Sequence, residues 1–376
     1  MFLIIICLLI TLHLLLVIVD KTYVYRALYY NYVDTDDYKI FHNKTIVRSQ
    51  YASEWTLSED YNQKQLSPAT EALLDSLETL AVLVIKNDKL YFEKYYQGYN
   101  ENTLSNSFSV AKSFVSALVG IALTEGKIKG IDQPVSDYLK GFDRNGKEKI
   151  TIRHLLTMSS GLNWDETYAN LFSITTEAYY GRDLEKIIQK LKVVEEPGKI
   201  FRYKGCDTQI LSFIIKQATG MSVAEYATEK LWKPLGCTST ALWSMDRKDG
   251  NEKAYCCINA TARDFARLAK LYMQKGTWNN DTIIAPSYIE SSLSPILLKD
   301  GESGGDSPVD YYGYQWWLLP GYKGSNIFYA RGILGQYIIA IPEQKKIIVR
   351  LGKKRGPKIG HHYKEMLTLI DECYAW

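Results

Sequence analysis

Residues 107–122 read Ser107-Phe108-Ser109-Val110-Ala111-Lys112-Ser113-Phe114-Val115-Ser116-Ala117-Leu118-Val119-Gly120-Ile121-Ala122. Phe108, Val110, Ala111, Phe114, Val115, Leu118, Ile121 and Ala122 would cover most of the surface of a helix running to about Thr124 and stopping before Gly126. Such a helix belongs inside a core. One lysine interrupts it, and an idle ammonium in apolar surroundings is costly. Ser109 and Lys112 stand three residues apart, on one helical face, where the amine can take the hydroxyl proton. A lysine near pKa 10.4 is only about 0.04 % neutral at pH 7. Useful base chemistry therefore calls for a pKa brought down to near 7, about 4 kcal/mol of differential stabilisation, and burial acts in that direction. Ser109 also sits near the helix N-terminus, whose exposed amide hydrogens favour developing negative charge.

Outward from this helix, Pro68 to Leu77 places Ala69, Leu73, Leu74 and Leu77 on one apolar helical face. Leu80–Ile85 and Leu90–Tyr96 then flank the turn Lys86-Asn87-Asp88-Lys89 as a pair of strands. From about 106 to 290 the pattern is mainly helical. At the far end, residues 327–329, 336–341 and 346–351 have strand character, with Pro342-Glu343-Gln344 turning between the last two, and His361 to Tyr374 is a closing helix. The implied fold is α/β, of the α+β type: an antiparallel sheet built from both chain ends, flanked by helices, with a large helical insertion over about 130–290. Residues 67–376 form this domain, 21–66 a tyrosine-rich connector, and 1–20 an N-terminal transmembrane anchor or signal segment.

That last assignment rests on Phe2 to Val19, which carries no charge. Eighteen such residues meet the usual minimum for a spanning helix. The absence of a basic start and of a small-residue cleavage site favours an uncleaved anchor, with the catalytic domain outside the cytoplasm. Lys21, Arg26 and Lys39, all following the segment, do not support that orientation. The 46 % hydrophobic and 23 % charged composition excludes disorder, and a net charge of +3 over 376 residues gives nucleic-acid binding no support. Among six cysteines there is no Cys-x-x-Cys spacing, and pairing among Cys206, Cys237, Cys256, Cys257 and Cys373 is left open. No metal site and no cofactor is expected.

Several stretches carry a family resemblance. Ser107 to Phe114 resembles the nucleophile helix of the serine β-lactamases, penicillin-binding DD-peptidases and related esterases, most of all the class C-like esterase and nylon-oligomer hydrolase branch. Ile152-Arg153-His154-Leu155-Leu156-Thr157-Met158-Ser159-Ser160-Gly161-Leu162 is similar to the family's helix-and-turn signature. Pro197-Gly198 leading to Phe201-Arg202-Tyr203 looks like the segment that delivers the second-motif tyrosine. Residues 260–267 resemble a later helix start, with Thr261 and Asp264 in a capping arrangement, and Tyr329 to Gln336 resembles the strand walling the active site. The likeness spans roughly residues 67–376, in family order.

By this resemblance Tyr203 shares general acid and base work with Lys112, the oxyanion hole is formed by the backbone N–H groups of Ser109 and Ile333, and Arg331 and Gly332 border the substrate, glycine letting it approach the strand. Two departures bear on substrate. The family's Tyr-x-Asn is Tyr203-Lys204-Gly205, and its Lys-Thr-Gly or His-x-Gly is Ala330-Arg331-Gly332, so the usual cation is replaced only if Arg331 turns inward. Both argue against an efficient β-lactamase or DD-peptidase and for an esterase or small-amide hydrolase working through an acyl-enzyme. The alternatives are a catalytically silent receptor for cell-wall peptide or a protein partner, and a Ser-His-Asp hydrolase with His154 as base. Tyr311 to Trp317 is either an apolar acyl pocket or sheet packing, and Lys353-Lys354-Arg355 is a solvated loop or a lipid contact.

Overall fold

The computed structural model describes residues 2–304 and 307–376. Its centre is a six-stranded antiparallel sheet, with strands β1 (Thr79–Lys86), β2 (Lys89–Tyr95), β3 (Trp317–Tyr322), β4 (Ser325–Gly332), β5 (Gln336–Ile341) and β6 (Lys346–Gly352). Their order is β3-β4-β5-β6-β1-β2, so the two ends of the chain meet where β6 pairs with β1, for example Val349 with Leu83. Period-2 alternation assigns the two faces. Leu83, Ile85, Ile338 and Val349 join the larger core, while Val82, Val84, Ile339 and Ile348 face the smaller one with Leu74, Met366, Leu369 and Ile370.

The helices that position the site can be numbered α1 (Phe2–Ile18), α2 (Tyr23–Tyr30), α3 (Pro68–Ser76), α4 (Val110–Thr124), α5 (Gly205–Thr219), α6 (Ala262–Met273) and α7 (Lys364–Tyr374). α4 is buried at every residue from Val110 to Ala122, as its all-round apolar sequence requires. At Gly120 an added Cβ would come within 2.6 Å of the Tyr288 ring, so only glycine admits that side chain. The expected cap at Thr261 is present: its side chain accepts from the Asp264 amide at 3.2 Å and starts α6.

The middle of the chain is mainly helical, and it also contributes to a second sheet: Ala241–Ser244, Ile258–Ala260 and Ser105–Asn106 join Asn43–Ile46 in a four-stranded sheet, its strands of two to four residues being too short to leave a periodic signal. The connector at 21–66 packs onto the domain, with Tyr23, Val24, Phe41, Ile46 and Trp55 in the main core. At the N-terminus, no single helix among the described residues is long and apolar enough to cross a membrane. The expected span is a 17-residue α1 followed by α2 at a bend of 116°, with the break at 19–22, where Asp20 has a φ of 59°. The Lys353–Arg355 stretch is a paired surface loop, with Lys353 on Asp34 at 3.0 Å and Lys354 on Glu78 at 2.5 Å.

Candidate active site

Ser109 lies at the N-terminus of α4, and the backbone before it is unusual. Phe108 adopts a left-handed conformation with φ of 44°, held by its amide donating to Asn106 Oδ1 at 3.0 Å, while Ser107 N–H donates to the Ile258 carbonyl at 2.7 Å. A bulky residue with positive φ costs of order 1–3 kcal/mol and persists only where its surroundings enforce it. Here the turn aims a half-buried Ser109 into a cavity of about 350 Å³.

Lys112 comes from the next turn of α4. It is 2 % exposed, and its Nζ donates to Ser109 Oγ at 2.9 Å and to the Tyr255 carbonyl at 3.0 Å. Lys112 Nζ also lies over two rings, 4.9 Å from the centroid of Tyr203 and 5.9 Å from that of Tyr255. The expected contact between Ser109 and Lys112 is therefore present, and the lysine is fixed rather than free to rotate. Tyr255 was not foreseen. It lies 143 residues downstream of Lys112, its hydroxyl is buried with no hydrogen-bond partner among the described residues, and burial holds that phenol neutral by pushing its pKa well up.

Tyr203 is brought beside Lys112 by β-strand residues 200–201 and the start of α5. Its ring packs 5.4 Å from Trp317 and 6.1 Å from Tyr312, so the aromatic run at 311–317 supports the second-motif tyrosine instead of lining the cavity at Ser109. Lys204, in the place after it, turns away and donates to the Leu162 carbonyl at 2.7 Å. Next to it, Asp207 is fully buried against Ser160 Oγ at 2.5 Å, and burial lifts its pKa to about 6.

The remaining assignments divide. Ile333 lines the cavity together with Ser109. Gly332 is needed for a different reason than substrate approach: a Cβ there would lie 2.3 Å from the Ser107 carbonyl oxygen and 3.2 Å from Ser109 N, so the glycine lets β4 touch the nucleophile turn itself. Arg331 does not turn into the cavity. Its guanidinium sits 3.2 Å from the centroid of the Trp317 ring and donates to the His361 carbonyl at 2.6 Å. His154 is occupied as a helix cap, its Nδ1 accepting from the Thr151 amide at 3.2 Å, and it does not line the cavity, which removes the Ser-His-Asp reading.

Two further features of the site carried no signal in the sequence. Glu166 lines the cavity, accepting from the Gly205 amide, from Trp164 Nε1 at 3.1 Å and from the Tyr168 hydroxyl at 2.6 Å. Cys256, another lining residue, forms a disulfide with its neighbour Cys257, the pairing the sequence left open, while Cys206, Cys237 and Cys373 are free and buried.

The family model described as Beta-lactamase matches residues 69–368. The chain belongs to the Beta-lactamase family. It is 25 % identical over 323 residues to the 6-aminohexanoate-dimer hydrolase of Paenarthrobacter ureafaciens, covering 82 % of this chain and 81 % of that protein. Among solved structures it resembles a putative 6-aminohexanoate-dimer hydrolase from Bacillus anthracis with a TM-score of 0.72, 23 % identity and 91 % of each chain covered. A family VIII carboxylesterase aligns with a TM-score of 0.63 at 15 % identity, over 83 % of this chain and 99 % of that one. This family member is a serine hydrolase of β-lactamase fold whose relatives are named as hydrolases and esterases.

Proposed function

We propose that this family member hydrolyses a small ester or amide through an acyl-enzyme at Ser109. The observation that carries the reading is the 2.9 Å contact from a buried Lys112 to Ser109 Oγ at the wall of the cavity. In the first step Ser109 Oγ bonds to the carbonyl carbon as its proton passes to Lys112 Nζ. The carbonyl oxygen takes the negative charge against the N–H groups of Ser109 and Ile333, each such donor typically contributing 10²–10³ in turnover. Collapse of the adduct expels the alcohol or amine, which receives the proton through Lys112 and Tyr203. Water then gives its proton to the same pair, attacks the ester, and Ser109 recovers its hydrogen.

The choice of ester or small amide over β-lactam or peptide substrates is supported by Arg331. With its guanidinium stacked on Trp317, Arg331 leaves the described lining of the cavity with no cation besides Lys112 to meet a substrate carboxylate. The names of the relatives point the same way, to a hydrolase of an aminohexanoate dimer and to a carboxylesterase. The test is hydrolysis of p-nitrophenyl butyrate by the purified chain beside Ser109→Ala and Lys112→Ala. Each substitution should lower kcat at least a thousandfold with circular dichroism unchanged. Equal turnover in Ser109→Ala, or no labelling of Ser109 by a fluorophosphonate, would sink the assignment.

A further inference from the structure

One wall of the cavity comes from a part of the chain upstream of the family match. Ala27, Leu28 and Tyr32, on and just after α2, line it together with Tyr168, Leu171 and Tyr179. Apart from Ser109, Lys112, Glu166 and a few polar edges, this is an aromatic and aliphatic lining suited to a chain of methylenes. α2 packs its Tyr23, Val24 and Ala27 face onto the body and leaves the other face open: Leu28 is 59 % exposed, Tyr29 82 % and Tyr32 51 %. Because Leu28 and Tyr32 both line the cavity and face outward, the cavity reaches the surface beside them. Phe172, next to the lining residue Leu171, adds a side chain 62 % exposed on the body's side.

Along the chain this rim leads back, across Asp20-Lys21-Thr22, to α1, seventeen residues without a charge, nearly all of whose described side chains are exposed. An apolar helix exposed in this way calls for an apolar partner. α1 has no polar face, which suits the hydrocarbon of a lipid bilayer better than a protein groove. We infer that the substrate's acyl or alkyl group is a long apolar chain seated between α2 and the 168–179 segment, drawn from a bilayer in which α1 is embedded. This rests on the reading of Ser109 as nucleophile and specifies the substrate of that same site; the chemistry of the acyl transfer is unchanged.

The experiment compares p-nitrophenyl acetate, hexanoate and decanoate with the full chain, free in solution and held in phosphatidylcholine vesicles. The ratio kcat/KM should climb about three- to fourfold per added methylene, the transfer preference of one CH₂, until the cavity is full. Decanoate in vesicles should be turned over faster than the same ester as dissolved monomer; the reverse order would overturn the lipid source. Leu28→Glu, or Tyr32→Glu should the first fold poorly, should lower the decanoate-to-acetate ratio at least tenfold. Equal kcat/KM across chain lengths, or a preference that survives both substitutions, would overturn the chain assignment while leaving Ser109 as the nucleophile. No turnover of any ester would count against the Ser109 reading instead. In that event a titration of Ser109→Ala protein with dansylundecanoic acid decides the cavity separately: saturable fluorescence enhancement lost in Leu28→Glu supports it, and no saturable binding rejects it.

Discussion

At Gly332 the backbone of β4 and the turn carrying Ser109 are in van der Waals contact, and the space for a methyl group is already taken by the Ser107 carbonyl. Gly332→Ala should therefore displace the amides of Ser109 and Ile333 relative to each other. The expected result is a loss of about 10²–10³ in kcat for a p-nitrophenyl ester, with a stability cost of about 1–3 kcal/mol read from the urea midpoint. A second residue gives a pH signature. His362 accepts or donates at Tyr329 Oη at 2.8 Å, and burial, with Arg331 and His361 nearby, depresses its pKa from 6.5 to about 4. The native protein then stays unprotonated at this ring while the unfolded chain binds a proton, so stability falls as pH drops from about 6.5 to about 4. His362→Gln should flatten that part of the denaturation midpoint against pH; a profile identical to wild type would show that His362 does not contribute. Ser109 and Lys112 were legible in the sequence because a three-residue helical spacing is local information. Tyr255 was not, since only the folded chain carries its carbonyl to Lys112. The role of Arg331 depends on its side-chain direction, which the sequence does not carry, and stacking on Trp317 turns it away from the cavity.

Elements with strong local signals were read well. The hairpin β1–β2, strands β5 and β6, and helix α4 lie where alternation, turn residues and apolar coverage place them. The start of α6 is another, and it can be tested on its own terms. Thr261 caps it, while Asp264 binds Arg267 and the amides of Thr238 and Ser239. Thr261→Ala should cost about 1 kcal/mol in a urea titration, within the ordinary range for a lost N-cap, and leave kcat unchanged. Strand β3 was missed, because its sequence Trp317 to Tyr322 contains Pro320 and Gly321, residues that normally end strands. An edge position tolerates them, and β3 is the edge. The bend between α1 and α2 escaped for the opposite reason: uniform apolarity reports length and gives no sign of direction.

For the whole molecule, the connector at 21–66 is packed into the core of the domain it precedes. Phe41, Ile46 and Trp55 are buried with residues of α4 and α6, and Asn43–Ile46 forms the edge of the small sheet beside Ala241–Ser244. A chain begun at Ser67 should consequently be insoluble or lack a cooperative thermal transition, whereas one begun at Lys21 should retain it; calorimetry of the two distinguishes these outcomes. The family-level fold was readable from ordered motifs, but the participation of 21–66 was not, since those contacts join residues some 200 positions apart. The junction of β6 with β1 is longer still, aligning Leu351 with Ala81 across almost the entire chain. During synthesis, then, the β1–β2 hairpin emerges early and remains an open template until the last strands leave the ribosome. Non-local pairing of this kind makes for slow folding and a period of vulnerability to wrong partners. For this protein, the interval between making the first strand and finding its neighbour is when a chaperone would matter most.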